Sequence, residues 1–182
     1  VCFTTPATIS SPITQNHNLG VAPELVITKR RNSTSQWFTV CSYGMTASQY
    51  VTLETTDQKI AYGGGGTTSW SATSTTVTLP TGYFYTSSTY VYYLFATCAG
   101  VSKVGTYTGT GTLTTINCGF SGGARFVMIK RTDSTSNWFY WDTTRGMVAG
   151  TDPSLQMNTT SLESNANSVY TITTGFQLLA SP

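Results

Sequence analysis

Short runs of apolar, β-branched and aromatic residues alternate with polar turns along the whole chain. This pattern is typical of β-strands, because successive side chains of a strand point to opposite faces of its sheet. The runs that fit are Leu25–Lys29, Trp37–Cys41, Tyr50–Thr55, Thr75–Leu79, Tyr90–Ala96, Phe126–Lys130, Trp138–Asp142 and Leu155–Asn158. Many short strands at this spacing predict an all-β sandwich or jelly roll. One short helix is compatible with Thr160–Asn165.

The chain contains an internal repeat. Pro23–Phe38 matches Ala124–Phe139 at a constant offset of 101 residues, so that Trp37 aligns with Trp138. We therefore predict two tandem, related β-sandwich repeats of jelly-roll type, residues 1–101 and residues 102–182. The second repeat lacks a counterpart of Thr89–Thr97 and is shorter by its last strand. We expect that strand to lie beyond residue 182 or to come from another chain.

Composition excludes several classes of function. Ser and Thr supply 57 of the 182 residues, whereas charged residues make up 9%, far below the roughly 25% of an ordinary soluble domain. A net charge of +2 with nine Lys and Arg argues against a nucleic-acid partner, since such binding depends on neutralising phosphates. No apolar run approaches the ~18 residues of a membrane span, so we predict no membrane insertion.

Cofactor motifs are missing from the sequence. The cysteines at positions 2, 41, 98 and 118 form no closely spaced pair, and the chain has one histidine, which argues against a zinc site. Three disulfide pairings are possible, and the spacing does not choose among them. The Gly63–Gly66 run predicts a flexible surface loop. It does not predict a phosphate-binding loop, because the Lys-Ser/Thr that completes such a loop is missing. We predict no cofactor.

Candidates for catalysis are few. A glycosidase needs two carboxylates around one sugar bond, and Asp142 and Asp152 flank a loop that contains Arg145. The favoured alternative is an ion pair between Asp142 and Arg145. His17 is the only imidazole and is better explained as a polar residue of a turn, since the chain has no nucleophile motif of the GxSxG type. We expect no enzymatic activity.

Aromatic residues are the best candidates for contacts with a ligand or partner. Trp37, Trp138 and Trp141 lie on the second strand of each repeated hairpin, and Tyr90, Tyr92 and Tyr93 lie on the last strand of the first repeat. Exposed rings of these types can stack on sugars or anchor protein interfaces. Core packing is the alternative for each of them. On Trp138–Asp142 the alternation places residues 138 and 140 on one face and 139 and 141 on the other, and one set should be core.

Several segments resemble a repeat of tail and other virion proteins of tailed bacteriophages. They include His17–Val40, Val91–Gly111 and Ala124–Gly146, and the most specific part is the shared Lys-Arg-x-Asp/Asn-Ser-Thr-x-x-Trp core. The resemblance implies an all-β component of the virion whose partners are copies of itself and other virion proteins. It brings no catalytic motif. In that family an apolar strand usually follows the element equivalent to Gly175–Leu178.

Two functions are therefore considered. The first is a non-enzymatic structural component of a virion (tail fibre, tail tip or capsid decoration) that acts through self-assembly and surface adhesion. The alternative is a carbohydrate-binding module that recognises glycans of the host surface. Assembly distinguishes them, because a fold with an unpaired strand should pair with a neighbour by strand addition, whereas a lectin should present a solvent-facing Trp or Tyr.

Overall fold

The computed structural model describes residues 1–62, 69–165 and 167–179. Its regular structure is almost entirely β-strand, with one 3₁₀ turn at Thr81–Tyr83, so the predicted all-β fold is confirmed. The helix expected at Thr160–Asn165 is wrong, since residues 160–163 are irregular and Ser164–Asn165 forms a strand. The predicted loop at Gly63–Gly66 lies outside the described residues.

The chain divides into two compact units. Unit 1 comprises Val1–Ala96 with Thr132–Ser134, and unit 2 comprises Thr97–Arg131 with Thr135–Pro182. The sequence repeat puts the division after Val101. Each unit has its own hydrophobic core, as expected of a domain of about 100 residues.

Unit 1 contains two antiparallel sheets. Its strands are β1 (Cys2–Thr4), β2 (Ile13–Asn16), β3 (Leu25–Arg30), β4 (Trp37–Cys41), β5 (Gln49–Thr52), β6 (Ile60–Ala61), β7 (Ser71–Ala72), β8 (Thr76–Leu79) and β9 (Thr89–Phe95). The larger sheet has the order β1-β9-β3-β4-β5-β6, and the smaller has the order β2-β8-β7. Val26, Val40 and Tyr92 of the larger sheet and Val77 and Leu79 of the smaller one belong to a single buried core. The unit is thus sandwich-like.

Unit 2 repeats this plan with fewer strands. Its strands are β10 (Thr114–Asn117), β11 (Phe126–Lys130), β12 (Trp138–Asp142), β13 (Pro153–Gln156), β14 (Ser164–Asn165), β15 (Val169–Ile172) and β16 (Gly175–Leu178). They form sheets of order β11-β12-β13-β14 and β10-β16-β15. Val127 and Trp141 of the first sheet pack in one core with Val169, Phe176 and Leu178 of the second.

The two units pair their strands in the same order. β10 and β12 begin 101 residues after β2 and β4, and β13 and β14 begin 104 residues after β5 and β6. The pairing β4-β5-β6 recurs as β12-β13-β14, and β2-β8-β7 recurs as β10-β16-β15. Among the described residues of unit 2, no strand takes the place of β1 or β9. As a result, β3 is an interior strand of its sheet, whereas β11 is an edge strand.

Candidate interaction surfaces of the two units

The hairpin that carries the repeated sequence has the same hydrogen bonds in both units. The Lys29 ammonium donates to the Ser35 carbonyl, and the Lys130 ammonium donates to the Ser136 carbonyl at 2.7 Å. Each lysine therefore ties its strand to the polar turn that follows it. This gives the repeated basic residue a local structural role.

The tryptophan that opens the second hairpin strand is also held alike. The Trp37 amide donates to the Glu54 carboxylate at 3.0 Å, and the Trp138 amide donates to the Asn158 Oδ1 at 2.9 Å. Both acceptors lie in the turn that follows the next strand. Since the backbone geometry is shared, positions of the two hairpins can be compared residue by residue.

Most of the aromatic residues predicted from sequence as contacts are buried. Tyr90 and Tyr92 are each 1% exposed in the core of unit 1, and Trp141 is 1% exposed in the core of unit 2. Trp138 is 4% exposed although it lies on the opposite face of β12 from Trp141. These four rings therefore offer no surface to a partner or glycan, because burial within the fold occupies them.

Trp37 is one of the predicted aromatic residues that remain accessible. It is half-buried on the outward face of the larger sheet of unit 1, where its ring stacks on Tyr93 with centroids 6.2 Å apart. The Lys29 ammonium lies 5.2 Å from the Trp37 ring centroid, within the range of a cation–π contact. Tyr93 and Phe95 are each 47% exposed. We call Lys29, Trp37, Tyr93 and Phe95 the aromatic face of unit 1.

Phe95 was not among the residues singled out from the sequence. The signal that would have found it is the alternation along β9, since Tyr90 and Tyr92 share one face and the odd-numbered residues Tyr93 and Phe95 lie on the other. A recess of about 450 Å³ is lined by Tyr93 and Phe95 of this face together with Val1, Leu19, Asn18 and the buried His17. The aromatic face therefore continues into a recess whose lining is mostly apolar.

The outer edge of β11 is the second candidate surface. The Thr143 amide donates to the Arg125 carbonyl at 3.0 Å. In an antiparallel pair every second residue forms such bonds, so Val127 and Ile129 also direct their backbone groups towards β12. Phe126 and Met128 direct theirs away from β12. We call the backbone N–H and C=O groups of these two residues the β11 edge. No strand in the described part of the chain pairs with it.

Side chains next to the β11 edge combine apolar and charged groups. The Phe126 side chain is 57% exposed, and its ring lies 6.0 Å from that of Tyr140. The Arg145 guanidinium lies 6.0 Å from the Tyr140 centroid and pairs with Asp142 and, at 3.1 Å, with Glu163. An exposed aromatic residue on an edge strand is unusual, because natural proteins protect such edges with charges or prolines.

The carboxylates singled out from sequence have structural partners. Desolvation raises the pKa of Asp142, but hydrogen bonds from the Arg145 amide and guanidinium outweigh it and leave that pKa below its ordinary value. The predicted Asp142–Arg145 ion pair is thus present. Asp152 is buried and accepts hydrogen bonds from the amides of Ser168 and Val169 at 2.5 and 2.6 Å. It joins the start of β13 to the start of β15.

The histidine and the cysteines complete the candidates from sequence. His17 is buried, and its Nδ1 accepts a hydrogen bond from the Leu19 amide at 3.2 Å, which agrees with the interpretation of a polar turn residue. All four cysteines, at positions 2, 41, 98 and 118, are free thiols. Burial raises the pKa of the Cys41 thiol, so this side chain is held in its neutral form.

Within residues 1–62, 69–165 and 167–179, no three His, Cys, Asp or Glu side chains are grouped to hold a metal ion. The same part of the chain has no helix of the length and hydropathy needed to cross a membrane.

Fold and surfaces define the class of protein as an all-β chain of two sandwich-like units. Residues 1–181 match the model of a family described as a domain of unknown function (DUF7483), and the chain belongs to that family. Searches of curated proteins and of solved structures gave no significant match.

Proposed function

We propose that this chain is a non-enzymatic structural component of a bacteriophage virion. Its role is that of a tail fibre, tail-tip or capsid-decoration module that acts through self-assembly and surface adhesion. Its partners are copies of itself and other virion proteins. The resemblance of the repeated Lys-Arg-x-Asp/Asn-Ser-Thr-x-x-Trp core to virion proteins supports the biological setting.

The observation that carries the proposal is the β11 edge with its exposed Phe126 side chain. An edge strand offers a row of unpaired donors and acceptors, which is a ready template for another chain. In unit 1 the corresponding strand, β3, is covered by β9 over Leu25–Arg30. A fold that covers this strand in one unit and leaves its counterpart at an edge in the other is suited to association.

Sedimentation velocity on the full chain tests self-assembly. We expect association that increases with protein concentration, and we expect Phe126→Lys to weaken it because a charge on an edge strand opposes pairing. The matched control is Leu162→Lys, a change at a side chain that is 92% exposed in an irregular part of unit 2. A chain that stays monomeric at all concentrations would contradict self-assembly.

Immunogold electron microscopy tests the virion assignment. A phage that encodes this chain is purified, and an antibody raised against the full chain is applied to the particles. Label at one defined part of the particle supports the proposal and identifies the part. Unlabelled particles, with the protein recovered in the particle-free fraction, would contradict it.

The aromatic face of unit 1 favours a second candidate, a carbohydrate-binding module for host-surface glycans. Stacked aromatic rings with a cation over one of them, beside a recess lined by Asn18 and Leu19, resemble the apolar and polar surfaces that sugars need. A glycan array tests it with the full chain and the Tyr93→Ala variant. Binding that is lost in Tyr93→Ala and kept in Leu162→Ala supports this candidate, and absence of binding by the parent chain contradicts it.

A further inference from the structure

We propose that the β11 edge binds one extended strand, antiparallel to β11, with aromatic and β-branched residues at alternate positions. The proposal deepens the proposed function, on which it rests for its biological meaning, by naming the segment that the edge recognises. The occupant is defined by its chemistry: it is a strand of the β9 type, as in Thr89–Phe95.

The backbone of β3 in unit 1 is oriented in the same way as that of β11. The Ser42 amide donates to the Glu24 carbonyl at 2.8 Å, which is the same bond, 101 residues earlier, as that between Thr143 and Arg125. Leu25 and Ile27 therefore correspond to Phe126 and Met128 and direct their backbone groups away from β4. In unit 1 these groups are opposite Phe95 and Tyr93 of β9. Among the described residues, no strand takes beside β11 the position that β9 takes beside β3.

The ladder between β3 and β9 has a defined direction and length. β9 runs antiparallel to β3 over six consecutive pairs, from Leu25–Phe95 to Arg30–Tyr90. A strand that repeats this arrangement beside β11 places one residue opposite Phe126 and another opposite Met128, two positions apart. Both positions lie on the same face of the sheet, because side chains alternate along a strand.

The side chains of β9 alternate between the core and the outward face of the sheet. On β9, Tyr90 and Tyr92 are buried in the core, while Tyr93 and Phe95 lie outward beside Ile27 and Leu25. Phe126 stands where Leu25 stands and is 57% exposed. An aromatic residue opposite Phe126 would cover this ring, and cross-strand aromatic pairs are among the stabilising contacts of a sheet. The edge therefore selects an apolar, alternating strand over a polar one.

The lengths of the connections allow a direct test within one chain. Residues 80–88 separate β8 from β9. A copy of residues 84–96 is appended after Pro182. Residues 179–182 and the copied residues 84–88 then connect β16, the equivalent of β8, to the copied strand. Together they are as long as the connection between β8 and β9. The control carries an appended segment of the same composition in scrambled order, without the alternation.

Hydrogen exchange of individual amides, followed by NMR, is the measurement. We expect the appended strand to slow exchange of the Phe126 and Met128 amides by at least about tenfold, with no such change in the scrambled control. Met128→Pro in the appended chain should remove the protection at Phe126, since it eliminates an outward donor but no bond to β12. Protection at Val127 and Ile129 reports that the hairpin remains folded.

The outcomes separate this inference from the proposed function. Unchanged exchange at Phe126 and Met128 in the appended chain, with Val127 and Ile129 protected, overturns the inference. Slowed exchange in the appended chain supports the inference. If the parent chain is also monomeric and absent from particles, only the proposed function is overturned. Unchanged exchange in the appended chain, together with association of the parent chain that increases with its concentration, overturns the inference and leaves self-assembly intact.

Discussion

Two tyrosines on β9 should respond with opposite sign to loss of a hydroxyl group. Tyr90 and Tyr92 are each 1% exposed, lie on the same strand and face the same core. The Tyr85 amide donates to the Tyr90 Oη at 2.9 Å. The Tyr92 Oη is buried and has no hydrogen-bond partner among the described residues. The two phenols thus differ in hydrogen bonding and hardly at all in burial.

The magnitudes follow from this difference. A buried polar group without a partner costs about 1–3 kcal/mol, whereas one satisfied hydrogen bond contributes a net 0.5–1.5 kcal/mol, to order of magnitude. Tyr92→Phe should therefore stabilise unit 1 by at least about 1 kcal/mol, and Tyr90→Phe should destabilise it by about 0.5–1.5 kcal/mol. The variants should differ by at least about 1.5 kcal/mol, or roughly 6 °C or more in Tm for a unit of this size.

Differential scanning calorimetry and urea denaturation measure both variants against the parent chain. Tyr93→Phe is the control, because its ring lies on the exposed aromatic face and its change should be small. The reasoning is refuted if Tyr92→Phe lowers the Tm of unit 1 as much as Tyr90→Phe does. That result would mean that the Tyr92 hydroxyl group has a stabilising partner in solution.

Three further predictions concern the two cores. In urea denaturation, Gly175→Ala should destabilise unit 2 by about 1–3 kcal/mol, because the added Cβ would lie 2.1 Å from the Ile116 carbonyl oxygen. The control Gly122→Ala should change the stability little, since no atom lies within 4 Å of its added Cβ. Asp152→Asn should cost about 1.5–3 kcal/mol in the same assay, because the buried carboxylate accepts three hydrogen bonds on one oxygen; an unchanged midpoint would contradict that role. Burial raises the pKa of Tyr83 and of Tyr92 in the folded chain. In the unfolded chain the pKa of a tyrosine is about 10. Their stabilising contribution should be complete below pH ~10 and decrease as the pH rises above it. Tyrosinate absorbance and circular dichroism should then change together, and ionisation of all tyrosines without unfolding would contradict the prediction.

The local pattern of the chain identified eight of the sixteen strands that the described residues form. Alternation and β-branched runs located Leu25–Arg30, Trp37–Cys41 and their counterparts in unit 2 close to their observed bounds, because a strand's period depends only on neighbouring residues. Short elements escaped this reasoning. Ser164–Asn165 contains two exposed polar residues and forms a strand because Pro153 and Ser154 pair with it.

Exposure of the aromatic residues was decided by tertiary packing. Alternation divides β9 into two sets, but it does not indicate which set faces the core. Tyr90 and Tyr92 are buried because Phe3 and Phe84 pack against them in the unit 1 core, and Tyr93 is left on the surface. Trp138 is buried although it does not share a face with Trp141, so its position on the strand did not predict its exposure.

What the sequence determined by itself was the kind of fold and the recurrence of one hairpin, since both depend on contacts between residues close in the chain. The tertiary structure alone decided which strands became edges. β3 is interior because β9 arrives beside it from more than sixty residues away, with Phe95 opposite Leu25. β11 has a similar apolar pattern but lies at an edge among the described residues, because the environment of a strand is set by distant segments that its own residues do not encode.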